Sequence, residues 1–408
     1  MRVLLSTIGS RGDVQPLVAL ALELRELGQD VRLCAPPDFR VWMDTLEIPF
    51  VPIGPEVRTT ATASVPAFRA RPSPVQMRQI AEATVATQFE VMPGAAEGCD
   101  ILVGGGALQI ALCSVAEQRA IPYVCASYCP VSLPSSHHAP PAWRGDSAPG
   151  SVADNSRLWG EDAQRWNDSW GFALNSHRAS AGMPPVADVR SHIFTDEPLL
   201  AADPTLAPWP EPTDLRVIQT GAWILPDQSP LPPELETFLE AGDAPIYFGF
   251  GSIRAPADLS KTMIEATRAL GKRAIISRGW ANLTPPDNGR DCLSIGEVNQ
   301  QALFKRVAAV VHHGGAGTTT AAARAAVPQV VIPQHYDQHY WAKRVEQLGI
   351  GRAHEVSMPT TDSLVAALSQ ALLPDVAARA RRIGDLVQTD GAEMAALRLI
   401  ASDLQTSL

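Results

Sequence analysis

The run His312-His313-Gly314-Gly315-Ala316-Gly317-Thr318 follows the apolar residues Ala308-Ala309-Val310-Val311 and opens an alanine-rich stretch with helical spacing. Small residues in such a turn let backbone amides approach an anion, and a helix N-terminus adds unpaired N–H groups and the positive end of a dipole. The chemistry expected is phosphate binding. The Lys-Ser/Thr ending of a P-loop is absent and the G-x-G-x-x-G spacing is not met, which leaves a diphosphate held partly by histidine. A glycine turn with two incidental histidines is the plainer account of the same residues. Nineteen residues beyond Thr318, past an apolar run at 329–333, comes Asp337-Gln338. A carboxylate and an amide at the next strand end can bind sugar hydroxyls.

Other chemistry-bearing residues fall at similar turns. Gly9-Ser10-Arg11-Gly12-Asp13 ends the first apolar run of the chain. Capping of the following helix accounts for Asp13 by itself. It is also the best-placed carboxylate to take a proton from a hydroxyl in a cleft. Ser252 closes the glycine turn Phe248-Gly249-Phe250-Gly251, while Arg278, Trp280 and Val298 follow the next two apolar runs. Trp280 is as well explained by a packed cleft wall as by contact with a nucleotide base. His137, His138 and Trp143 lie in a Pro/Ser/His-rich loop, where solvated surface competes with an acceptor contact.

The elements that must position these groups alternate. Apolar runs at 3–7, 30–35, 101–104 and 123–126 read as buried strands, with helical spacing at 16–27 and 39–46. A proline-rich approach at 204–212 and a second cluster at 226–233 interrupt the pattern, which then restarts with strands expected at 246–250, 274–277, 293–295, 308–312 and 329–332. The fold class expected is α/β: two facing Rossmann-like domains with a deep cleft at the carboxyl ends of their strands. The divisions are 1–204, an interdomain linker at 205–226, 227–388, and a last helix within 389–408 that packs back on the first domain.

Composition narrows the function. A net charge of -10 with no basic cluster argues against nucleic acid as a partner. The six cysteines have neither the spacing of a metal site, Cys125 and Cys129 being the only close pair, nor the density of a disulfide scaffold. No signal peptide is read at Met1 and no apolar run reaches the ~20 residues that span a bilayer. The expectation is a cytoplasmic protein, monomer or homodimer, with no metal and no bound cofactor.

The histidine-containing glycine loop paired with Asp337-Gln338 resembles the donor motif of the GT-B glycosyltransferases in the UDP-glycosyltransferase superfamily. The resemblance implies that His313, the loop glycines Gly314, Gly315 and Gly317, and Thr318 hold the diphosphate of a UDP- or TDP-sugar. It places Asp337 and Gln338 on the transferred sugar, Trp280 and the Val298 backbone on the base, and Ser10, Ser252 and Arg278 elsewhere on the donor. Many members carry His where this chain has Asp13. The phrase Gly-Ser-Arg-Gly-Asp is similar instead to the bacterial enzymes of glycopeptide antibiotic assembly, in which an Asp here is the proposed base, and to sterol glucosyltransferases. Further matches to the glycopeptide group, such as Leu174-Asn175-Ser176-His177-Arg178 and Gln219-Thr220-Gly221-Ala222-Trp223, run through most of the chain and thin out at 57–73 and 131–155. The activity implied is inverting transfer of a hexose or deoxyhexose to a hydroxyl of a hydrophobic small-molecule acceptor, a polyketide, macrolide or glycopeptide. A sterol or lipid acceptor, or hydrolysis or epimerisation of the nucleotide sugar, is the alternative.

Overall fold

Val3 and Leu5 alternate with Leu4 on a strand buried on both faces, as a central parallel strand requires. This strand, β1 (Arg2–Thr7), lies between β2 (Asp30–Ala35) and β4 (Ile101–Gly105) in a sheet completed by β3 (Phe50–Pro52), β5 (Tyr123–Ser127), β6 (Leu199–Leu200) and β7 (Ile218–Gln219). The order is β3-β2-β1-β4-β5-β6-β7, with every pairing parallel. A second parallel sheet has the order β10-β9-β8-β11-β12-β13. Its strands are β8 (Ile246–Gly249), β9 (Ala274–Ser277), β10 (Cys292–Ile295), β11 (Ala309–His312), β12 (Gln329–Val331) and β13 (Gly351–Ala353). The structure is a computed structural model that describes residues 1–58, 73–141, 154–212, 215–252, 258–287, 289–355 and 358–406.

Each sheet reverses direction once, between β1 and β4 and between β8 and β11. At such a switch point neighbouring crossovers leave in opposite directions and open a crevice at the strand ends. The turn 9–13 leaves β1 and the turn 313–318 leaves β11, so both chemical motifs stand at switch points.

The core strands match their sequence patterns closely; the departures have physical causes. The first helix runs Arg11–Glu26 and so begins before residue 16, because Ser10 and Asp13 form a capping box there. Leu17, Leu20 and Leu24 on its inner face are fully buried, each worth roughly 1.5–3 kcal/mol of burial. Residues 205–226, expected as a linker, carry β7 and extend the first sheet. Like β3, β6 and β13, it is a strand of two or three residues, too short to show a period.

The chain returns to the first half through the helix Gly391–Thr406, whose Ala392, Ala395, Ala396 and Leu399 join the apolar cluster around Leu17, Leu20 and Leu24. Where the two crossings between halves pass each other, Gly221 has φ +93° and a Cβ on it would stand 3.2 Å from the Gly391 Cα. Only glycine fits that approach without strain.

Candidate active site

The two histidines of the glycine turn have different fates. His312 ends β11 fully buried, its Nδ1 accepting from the Gly314 amide at 3.1 Å and its Nε2 facing Gln329 Oε1 at 2.9 Å. Accepting at Nδ1 places the ring proton on Nε2, donated to Gln329. Burial pushes its pKa down to about 4, so the ring is a neutral strut for the turn.

His313 projects from the strand end between two glycine turns. A Cβ on Gly251 would lie 3.3 Å from its Cε1, and one on Gly315 would lie 2.6 Å from its Nε2. Its Nδ1 is buried without a hydrogen bond of full geometry among the described residues, although the Gly249 backbone lies close enough to the ring to raise its pKa slightly. Burial first, then the neighbouring His312 and His335, lower its pKa to about 3. An arriving anion has the opposite effect, raising it. Gly314 adopts φ +92°, where a Cβ would approach the Gln338 carbonyl at 3.0 Å, so the turn is packed against the Asp337-Gln338 segment.

The helix Ala316–Arg324 starts at Gly315 with no side-chain cap, and its first recorded backbone bond is Thr319 N–H to the Gly315 carbonyl. The amides of Ala316, Gly317 and Thr318 therefore find no acceptor among the described residues, and they sit beside the orphaned imidazole nitrogen. An anion with several oxygens fits this donor set.

Asp337 precedes the helix Gln338–Gln347 and accepts from Trp341 Nε1 at 3.2 Å. Burial, joined by the negative charge of Asp13, raises its pKa to about 7 against the Trp341 bond. Gln338 uses Oε1 to bind the amides of Gln334 at 2.8 Å and His335 at 3.3 Å, which leaves its amide nitrogen to donate.

Across the cleft, Asp13 Oδ2 accepts from the Ser10 amide at 2.8 Å and the Ser10 hydroxyl at 3.3 Å. A Cβ on Gly9 would collide with that oxygen, so the tight turn needs glycine. Oδ1 faces Gly106. The Tyr128 hydroxyl donates to the Asp13 carbonyl at 3.1 Å, steadying the first helical turn from β5. Burial raises the Asp13 pKa to about 6 despite the Ser10 bonds, which act the other way. Capping and a basic carboxylate are thus the same residue here.

Ser252 ends the turn after β8, and Trp280 N–H donates to the Gly251 carbonyl at 2.9 Å, which ties that turn to β9. Arg278 is exposed with a terminal nitrogen over Gly296; Val298 is half-buried after β10. Among the acceptor candidates, His137 is tethered to the Pro212 carbonyl at 2.9 Å, and His138 lies edge-on to Trp159 and Trp209 at 5.8 and 6.1 Å. The exposed His137 ring is held by that one hydrogen bond, whereas His138, set among indoles, packs as an aromatic. Trp143 lies outside the described residues.

One group among the described residues has metal-ligand types in reach of one another, Cys113, Glu117 and His192. Arg178 already pairs with Glu117 at 2.6 Å, and burial pushes the Cys113 thiol up to about 12. A guanidinium at that distance opposes a cation, so these residues fit a polar network rather than a metal ion. No helix among the described residues is long and apolar enough to cross a membrane.

Two facing parallel sheets, with an uncapped anion turn at one switch point and a carboxylate at the other, are the GT-B architecture of a sugar-transferring enzyme. The comparisons agree. Residues 3–135 match the glycosyltransferase family 28 N-terminal domain, and residues 283–390 the C-terminal domain of the erythromycin biosynthesis protein CIII-like type. The chain is 50% identical over 403 residues to the vancomycin aglycone glucosyltransferase of Amycolatopsis orientalis, covering 98% of this chain and 97% of that one. It is 46% identical over 391 residues to the dTDP-epi-vancosaminyltransferase of the same organism, 94% and 93% of the two chains. The crystal structure of the glycotransferase of kitacinnamycin superposes with a TM-score of 0.74 at 19% identity over 99% of both chains, which shows the shared fold. The chain belongs to this family of glycosyltransferases.

Proposed function

We propose that the protein moves a hexose or deoxyhexose from a TDP- or UDP-sugar to a hydroxyl of a secondary-metabolite aglycone of the glycopeptide type, with inversion and without a metal ion. The observation that carries this is the facing pair of switch-point turns: three unpaired amides and His313 on one side, Asp13 on the other. Relatives named for the vancomycin aglycone and for a dTDP-linked sugar support the acceptor and donor classes.

In this reading residues 1–204 receive the acceptor and 227–388 the donor, in the cytoplasm. His313, Thr318 and the loop from Gly314 to Gly317 hold the diphosphate, with Ser10, Ser252 and Arg278 around it. Trp280 and the Val298 backbone take the base, while Asp337 and Gln338 take sugar hydroxyls. Asp13 accepts the proton of the attacking hydroxyl. That oxygen forms its bond to the anomeric carbon as the carbon–phosphate oxygen bond breaks, and the electron pair leaves on the nucleoside diphosphate. The departing charge meets amides, imidazole and helix dipole, groups already oriented before reaction.

The test incubates the protein with TDP- and UDP-sugars, with and without a glycopeptide aglycone. Glycoside matching the nucleoside diphosphate released is expected. Release of nucleotide alone, or an epimerised donor, would overturn the transferase assignment of the site.

A further inference from the structure

The two halves meet on opposite sides of the cleft through surfaces of opposite character. At the β5/β6 side, Leu200, Ala202, Leu206 and Ala207 pack in one buried cluster with Trp341 and Val345 of the second half. Arg344 adds a bond from Nε to the Leu206 carbonyl at 2.7 Å, and Asp203 accepts from the Gln388 amide at 2.8 Å. This side is apolar and continuous, so it stays joined while the opposite edge can open, which makes it the hinge side.

At the β3/β10 side the contact is made by exposed charges. Glu297, two residues beyond β10, binds Arg11 through Oε2 and Arg58 through Oε1, the latter at 3.7 Å. Arg11 lies 4.9 Å over the Trp42 ring, and Arg58 lies 6.0 Å over that of Trp280. The Arg58 backbone is anchored, since Asp38 accepts from the amides of Val57 at 2.8 Å and Arg58 at 3.0 Å. Both switch points lie between hinge and clasp in the strand order.

We propose that Glu297, Arg11 and Arg58 form a latch that closes the open edge of the cleft over the donor, making them positioning residues for transfer; this rests on the donor site proposed above. Arg11 sits two residues before Asp13, so closing the latch sets the carboxylate's place over the donor half. The side chains are 46%, 63% and 64% exposed for Arg11, Glu297 and Arg58, so each pair is weak and screened by salt. A weak latch can reopen for product release, which a dry interface on both sides would prevent.

The test compares donor kinetics and nucleoside diphosphate affinity of the wild type, Glu297→Gln, Arg11→Glu, Glu297→Arg and the paired exchange Arg11→Glu/Glu297→Arg, at low and high sodium chloride. Glu297→Gln is expected to lower kcat/KM for the donor by roughly 3- to 10-fold at low salt and to flatten its salt dependence. The exchange should recover part of what either single change loses, which lost packing alone would not do. A Glu297→Gln enzyme with wild-type kinetics at both salts, or an exchange no better than its components, would sink the latch while leaving the donor site standing. A wild-type protein that binds no nucleoside diphosphate overturns the functional reading, and the latch with it.

Discussion

The turns after β1 and β11 occupy equivalent places in their sheets, yet one is closed by its own carboxylate and the other is left open. At Gly9–Asp13 a carboxylate folds back on the turn: Asp13 accepts from the Ser10 amide and hydroxyl. At His313–Thr318 no side chain caps the helix, and three amides and a buried imidazole nitrogen lack partners. Both turns offer the same backbone electrostatics to an anion. The first presents its own carboxylate to the cleft, whereas the second presents backbone donors, which the proposed function assigns to a ligand's anion. In the proposed reaction one local geometry supplies both the base and the leaving-group site.

The comparison can be broken from either side. Asp13→Asn keeps the cap but removes the base, so kcat should fall by roughly 10²- to 10⁴-fold with nucleoside diphosphate affinity unchanged. Steady-state kinetics beside calorimetric titration reads both. In the wild type, transfer should decline as pH drops through about 6, where the Asp13 carboxylate takes up its proton. Gly315→Val attacks the vacant turn instead, because its side chain must displace His313 Nε2. Nucleoside diphosphate affinity is expected to weaken by about 10- to 100-fold, and an unchanged dissociation constant would count against the open turn as the phosphate site.

A smaller effect separates the two histidines. Gln329→Leu leaves the His312 Nε2–H buried and unpaired, costing about 1–3 kcal/mol in urea unfolding. Unaltered stability would show that His312 is no strut. A comparable effect concerns the closed turn: the folded Asp13 carboxylate resists ionisation, so its penalty is absent below the ordinary value of 3.8, grows through pH 6 and is complete above it. Asp13→Asn escapes that penalty and should be more stable than the wild type by no more than about 3 kcal/mol at pH 8, with little gain at pH 3.

The motifs at both turns, and the strands that carry them, could be read directly from residue order. Glycine, a small-residue helix start and a preceding apolar run are local signals, and β1, β2, β8, β9 and β11 lie close to their expected positions. The short edge strands were hidden because two or three residues carry no period. The surroundings of His138 were not legible: it packs between two indoles, and nothing around it in the sequence marks Trp159 or Trp209 as its neighbours. Gln329 did leave a trace, as a polar residue opening an otherwise apolar strand. Glu297 left none, since it meets Arg11 across 286 residues.

By itself the sequence determined an α/β chain with two strand–turn–helix units able to hold anions, because backbone conformation and helix ends depend on neighbouring residues. Tertiary structure alone decided that His312 would be a buried strut and His313 would stand beside uncapped amides, and that Asp13 and Asp337 would share a cleft and hold their protons to about pH 6 and 7. Those properties come from desolvation and from charges brought close by folding, and both depend on residues far away along the chain.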